Sequence, residues 1–202
     1  MYLNSIIIFS IFIFLYFLFK KKNLLVDKLD TSDHKKFVIS TDNPLLIGGI
    51  FIFIIILIYF PKEFYVFKSI IFLMLVVGLL SDMNHLSSPI KRIIFQTIVV
   101  CFFVFIENLY IRSLSLNFFD ELLKFQTFNF IFTVFCFLIL INGSNFIDGL
   151  NSLVSGYFII VMTCIIILAK NNFINLLYEK EIYYLLISLV IFSIFNLKSL
   201  SF

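Results

Sequence analysis

"FIFTVFCFLILINGSNFIDGLNSLVSGYFIIVMTCIIILA", residues 130–169, decides the fold. Two long apolar runs bracket a polar insert at 142–153. An apolar run of this length between polar flanks reads as a membrane span, and in lipid a span must satisfy its own backbone, so it is helical. The insert carries Asn142, Asn145, Asp148 and Asn151, spaced three apart. On an ideal helix a step of three turns about 300°, so neighbours lie close while the row drifts by about half a turn over nine residues. The four converge only if the helix ends or bends among them, which Gly143 and Gly149 allow. The plain alternative is a turn between spans, since Asn, Gly, Ser and Asp favour turns.

Outward from this stretch the pattern repeats. The chain has 202 residues, 62% of them hydrophobic, with a mean hydropathy of +1.12. A soluble domain has about 45–50% apolar residues, so the sequence reads as an integral membrane protein. Apolar runs lie near 3–19, 45–60, 64–80, 93–106, 127–142, 153–169 and 182–196. The expected fold is an all-α polytopic bundle of about seven transmembrane helices, forming one domain over 1–202. "PKEF", with Pro61 as breaker, divides the second and third spans into a tight hairpin. The first run, "NSIIIFSIFIFLYFLFKKK", has no basic residue before it and no small-residue cleavage site after it, which reads as a retained helix. A net charge of +3 is too small to imply a nucleic-acid partner. Cys101, Cys136 and Cys164 lie inside apolar runs without CxxC spacing and read as buried small hydrophobes. Phe, Ile, Asn and Lys share AT-rich codons, which accounts for the 30 Phe without a cofactor role.

Seven spans separate two sets of loops. The set containing 20–44, 81–92, 143–152 and the C-terminal tail carries nine of the 15 Lys and Arg residues, including "KKK" directly after the first span. The excess of positive charge places that set in the cytoplasm and the N-terminus outside. The unusual polar features share this side. "GLLSDMNHLSSPIKR", 78–92, sets Asp82 at the end of one span and Lys91 and Arg92 at the start of the next, with Gln96 one turn further in. A carboxylate beside cations at a membrane mouth suits metal or phosphate binding; a capped helix end with topology-anchoring charges is the plain alternative. "DKLDTSDHKKFVISTDNPLLIGGI", 27–50, ends in Gly48 and Gly49 at a helix start. There, backbone N–H groups can approach a phosphate, although glycine pairs also permit close helix packing. On the other side, "ENLYIRSLSLNFFDELLKFQT", 107–127, is an amphipathic connector suited to the membrane interface.

Taken together, "HKKF…NPLLIGG", "GLLSDMNHLSSPIKRIIFQ" and "NGSNFIDGLNSL" resemble the polyprenyl-phosphate N-acetylhexosamine-1-phosphate transferases, glycosyltransferase family 4, in motif order, sidedness and spacing. The undecaprenyl-phosphate N-acetylglucosamine-1-phosphate transferases are the nearer subgroup. The resemblance implies an enzyme of cell-wall or surface-polysaccharide assembly in the bacterial inner (plasma) membrane, with its active face cytoplasmic. A polyprenyl (undecaprenyl) phosphate would attack the β-phosphate of a UDP-N-acetylhexosamine and release UMP. Mg²⁺ is the implied cofactor, with Mn²⁺ admitted in its place. Asp148 and Asp82 are the implied metal-binding and catalytic carboxylates. His34, Lys35, Lys36, Gly48, Gly49, Arg92, Asn142, Asn145 and Asn151 are the implied substrate-binding residues. The resemblance also admits a homodimer.

Several positions depart from the family pattern. Ser81 stands where the first aspartate of an Asp-Asp pair belongs. Asn151 and Ser152 replace the second Asp-Gly of "Asp-Gly-x-Asp-Gly-Leu", and Leu45 and Leu46 lie near the place of a family arginine. Each lost carboxylate weakens a divalent-cation site. "IFNLKSLSF" resembles a family stretch that normally runs on into a Met-Gly-Asp-x-Gly motif, and the family has about ten or eleven spans. The chain therefore resembles the N-terminal portion of such an enzyme. A catalytically inactive relative, or a lipid-binding scaffold protein, is the alternative expectation. A transporter would want charges at mid-membrane, which these spans lack.

Overall fold

A computed structural model describes residues 2–22, 47–83, 86, 88–147 and 152–198. They form α1 (Tyr2–Lys22), α2 (Gly48–Tyr59), a 3₁₀ turn (Lys62–Phe64), α3 (Tyr65–Asp82), α4 (Pro89–Ile106), α5 (Asn117–Leu123), α6 (Gln126–Ile147), α7 (Leu153–Lys170) and α8 (Glu179–Lys198). Among the described residues there is no strand. Seven of these helices fall on the seven apolar runs, and α5 falls in the connector. Among the described residues, five segments are long and apolar enough to cross a membrane: Leu3–Lys21, Lys62–Asp82, Pro89–Ile106, Gln126–Ser144 and Leu153–Lys170. α2 is apolar but has only 12 residues, and α8 opens on Glu179, Lys180 and Glu181. The protein is an all-α, multi-pass membrane protein.

Prolines set two boundaries. Pro61 pushes Phe60 out of the helical region, to φ −80°, ψ 141°, and ends α2. Pro89 opens α4 at its first turn, where a missing N–H leaves no intrahelical bond unmade, with Ser88 extended before it. One boundary departs from expectation. α6 runs on through "NGSNFI" to Ile147 instead of stopping at the polar insert. Asn142 donates from Nδ2 to the Leu138 carbonyl (2.9 Å) and Ser144 Oγ donates to the Ile141 carbonyl (2.9 Å). Polar side chains that bond back to their own helix need no turn to satisfy them.

The chain divides into two compact units, residues 62–146 and residues 1–61 with 147–202. In the first, α3, α4 and α6 pack as an up-down-up set. Val100 and Val104 of α4 meet Val134 of α6 in a buried cluster flanked by Phe130, Phe137, Leu138 and Ile141. Phe103 links both neighbours, with ring centroids 6.1 Å from Phe67 and 5.9 Å from Phe137. In the second unit, Ile8, Phe12 and Leu15 of α1 pack on Ile47, Phe51 and Ile55 at α2, with Tyr184, Ile187, Ile191, Phe192 and Phe195 of α8 around them. α1 and α8 run parallel, tied by Asn4 Nδ2 donating to the Tyr184 hydroxyl (2.7 Å) near their starts and by Phe12, midway along α1, against Phe195 (4.6 Å) near the end of α8. α7 joins α8 through hydroxyls: Ser193 Oγ donates to Ser155 Oγ (2.8 Å), and Ser152 Oγ donates to the Ser193 carbonyl (3.3 Å). Lipid gives helices no hydrophobic drive to associate, so small hydroxyl residues at the contact are the expected adhesive.

Candidate functional site

The polar mouth of the 62–146 unit is built by its helix directions. α3 ends on Asp82, and α4 begins at Pro89 after a short turn fixed by Leu86 N–H donating to the Leu80 carbonyl (3.0 Å). α4 and α6 run antiparallel, so the end of α6 lies at the same end of the unit. Asp82, Arg92, Gln96, Asn142 and the backbone of Asn145 therefore lie towards one end, Asn142 and Asn145 being the first two members of the insert's polar row. Asp82 is exposed and Arg92 half-buried.

Two atoms here lack partners. Arg92 Nε and Gln96 Oε1 are buried without a hydrogen bond, and Gln96 is only 6% exposed. They lie four residues apart on α4, hence on one face. A buried donor and a buried acceptor left unmade cost about 1–3 kcal/mol each. Native proteins rarely carry such groups without water, an ion or a ligand to answer them. Asn142 spends its amide nitrogen on Leu138, which leaves Oδ1 as the end that can accept from, or ligate, something else.

The described side chains towards this end that could ligate a metal would do so through oxygen: the Asp82 carboxylate and the Asn142 and Gln96 amide oxygens. That chemistry fits a hard cation such as Mg²⁺, which takes its remaining ligands from water and substrate phosphates. No group of three or more His, Cys, Asp or Glu residues capable of holding a metal occurs among the described residues. Asp148, Asn151, His34, Lys35 and Lys36 lie outside the described residues.

The glycine pair falls in the other unit. A Cβ on Gly48 would meet the Phe192 ring at 2.5 Å, so Gly48 lets α2 approach α8. Gly49, next to it, is exposed. Ser152 opens α7 with φ 64° and ψ 6°, in the left-handed region. This is the position where the matching motif has glycine, the residue that adopts such a φ without steric cost.

Asn129 is among the buried polar residues that the sequence pattern did not single out. It is 6% exposed and lies inside the apolar run of α6. Its Nδ2 donates to the Ile111 (2.8 Å) and Leu123 (2.9 Å) carbonyls, and its Oδ1 accepts from Ile111 N–H (3.0 Å) and Thr133 Oγ1 (3.2 Å). The signal was present as a lone amide in "TFNFIF", followed by Thr133 one turn on. With every polar atom answered by the protein, it is a structural clasp and carries no chemistry.

A family model described as "Glycosyl transferase family 4" matches residues 64–200, across both units. No curated protein and no solved structure matches the chain.

Proposed function

Since the chain belongs to glycosyl transferase family 4, we propose that it transfers an N-acetylhexosamine 1-phosphate from a UDP-sugar to undecaprenyl phosphate at the cytoplasmic face of a bacterial plasma membrane. The observation that supports this reading is the pair of unanswered buried atoms, Arg92 Nε and Gln96 Oε1, on the first turns of α4, towards the end of the unit where α3 closes on Asp82. A lipid phosphate oxygen attacks the β-phosphorus of the UDP-sugar. The new P–O bond forms as the bond to the α-phosphate breaks, and UMP leaves. Mg²⁺ held by Asp82 and Asp148 would offset the charge of two anionic substrates. Arg92 sets a guanidinium against the lipid phosphate, and its fork geometry suits phosphate oxygens. Asn142 and Asn145, three apart on the last turns of α6, orient the nucleotide.

The test is incubation of purified protein with Mg²⁺, undecaprenyl phosphate and radiolabelled UDP-N-acetylglucosamine, beside an active relative. Labelled lipid is the expected result, lost in Asp82→Asn. No labelled lipid while the relative turns over would sink the catalytic reading. A second reading, an inactive lipid-binding relative, is favoured by Ser81, which puts a neutral hydroxyl on the last turn of α3 where the family motif has a carboxylate. On that reading Asp148→Ala leaves the cellular phenotype unchanged.

A further inference from the structure

The connector between α4 and α6, residues 107–125, leaves apolar and charged side chains open together. Part of its polarity is consumed within the chain. The Asp120 carboxylate accepts from Ser113 Oγ (2.8 Å) and Leu114 N–H (2.7 Å), Ser115 N–H donates to Ser113 Oγ (3.0 Å), and Asn129 clasps the backbone at Ile111 and Leu123. Its large apolar side chains are open beside the exposed Glu107, Arg112, Glu121 and Lys124: Phe118 at 71% and Phe125 at 67%, with Leu114, Leu116 and Phe119 also open. Large apolar and charged side chains exposed together suit a membrane interface better than water alone. Both helices it joins are long and apolar enough to span a membrane, so the connector leaves the bilayer and re-enters it at the same surface. Its charges, Glu107, Arg112, Asp120, Glu121 and Lys124, sum to about −1, which gives no attraction to anionic headgroups.

We propose that this connector is a membrane-interface foot, lying flat with Phe118, Phe119 and Phe125 sunk to the boundary between headgroups and acyl chains. Amphipathic segments of this kind bind by buried apolar area. Here the Asp120 and Asn129 bonds fix the fold of the foot before lipid is met, so little ordering entropy is lost on insertion. The inference stands independently of the transfer reaction.

The chain contains no Trp, so Phe118→Trp creates a sole indole reporter. In vesicles of neutral phosphatidylcholine the expected emission is blue-shifted. It is quenched more by lipid brominated near the headgroup end of the acyl chain than by lipid brominated near the terminal methyl. Anionic lipid and salt leave it unchanged. Phe125→Trp, at the other end of the foot, gives the same pattern and guards against a local fault in the first variant. Red-shifted emission quenched by aqueous iodide would place the connector in water and overturn the proposal. Blue-shifted emission silent to both iodide and brominated lipid would mean that protein covers it, which overturns the proposal equally.

Discussion

Ser152 takes a left-handed backbone at the first residue before α7, a conformation that costs an L-residue about 1–2 kcal/mol. Its hydroxyl bond to the Ser193 carbonyl, 3.3 Å long, offsets part of that, about 0.5–1 kcal/mol. Ser152→Gly removes the strain and the bond together; Ser152→Ala removes the bond and keeps the strain. Thermal unfolding in detergent is expected to rank the glycine variant about 1 kcal/mol above the alanine variant. Gln96 gives a sharper test, because stability and function should part there. Gln96→Leu discards an unanswered buried acceptor, so melting should hold or rise, by about 1 kcal/mol, while transfer to undecaprenyl phosphate falls. A variant that melts early and transfers normally would make Gln96 a packing residue.

Helix contacts carry the next scale. α2 and α8 approach through Gly48 and the Phe192 ring. Gly48→Ala forces that ring to shift, at a cost of about 1–3 kcal/mol. Phe192→Leu should restore room, so the double variant is expected to lose less than the sum of the singles, a coupling read from a double-mutant melting cycle. The turn before α5 adds a pH dependence. The Leu114 amide and then the Ser113 hydroxyl bond the Asp120 carboxylate and hold its pKa below the usual 3.8. A group with a depressed folded pKa contributes stability above its unfolded pKa and loses it as pH falls through the folded value. The turn should therefore be intact at neutral pH and loosen only on acidification below about pH 4. The emission of Phe118→Trp followed against pH checks this, and Asp120→Asn should abolish the transition. Neither contact was legible in the sequence. "IGG" reads equally as a phosphate cradle and as a packing gap, and only the position of Phe192, far along the chain, decides for Gly48. Asp120 reads as a surface charge until Ser113 and Leu114 fold back on it.

At the scale of the molecule, the helices were legible and the polar ends were less so. Apolar runs and the breaker Pro61 marked seven helices, because in lipid hydropathy and backbone satisfaction leave one solution. The extent of α6 was hidden. Asn142 and Ser144 favour turns by propensity and are kept helical by bonds to carbonyls of the preceding turn. In a background with the three cysteines replaced by serine, a cysteine at Leu3 should react with a membrane-impermeant maleimide in intact cells. One at Lys21 should react only after permeabilisation. The reverse pattern would invert the cytoplasmic assignment. The lengths of α4 and α6 have a consequence of their own. From Gln126 to Asn142 is about 24 Å of helix, and from Ile106 back to Arg92 about 21 Å, against a hydrocarbon thickness of about 30 Å. With the connector resting on one leaflet, Asn142 and Arg92 fall short of the other hydrocarbon boundary, although α6 itself runs on to Ile147. These two side chains then sit in a dimple beneath the opposite surface, and the acyl-chain length of the host lipid sets its depth.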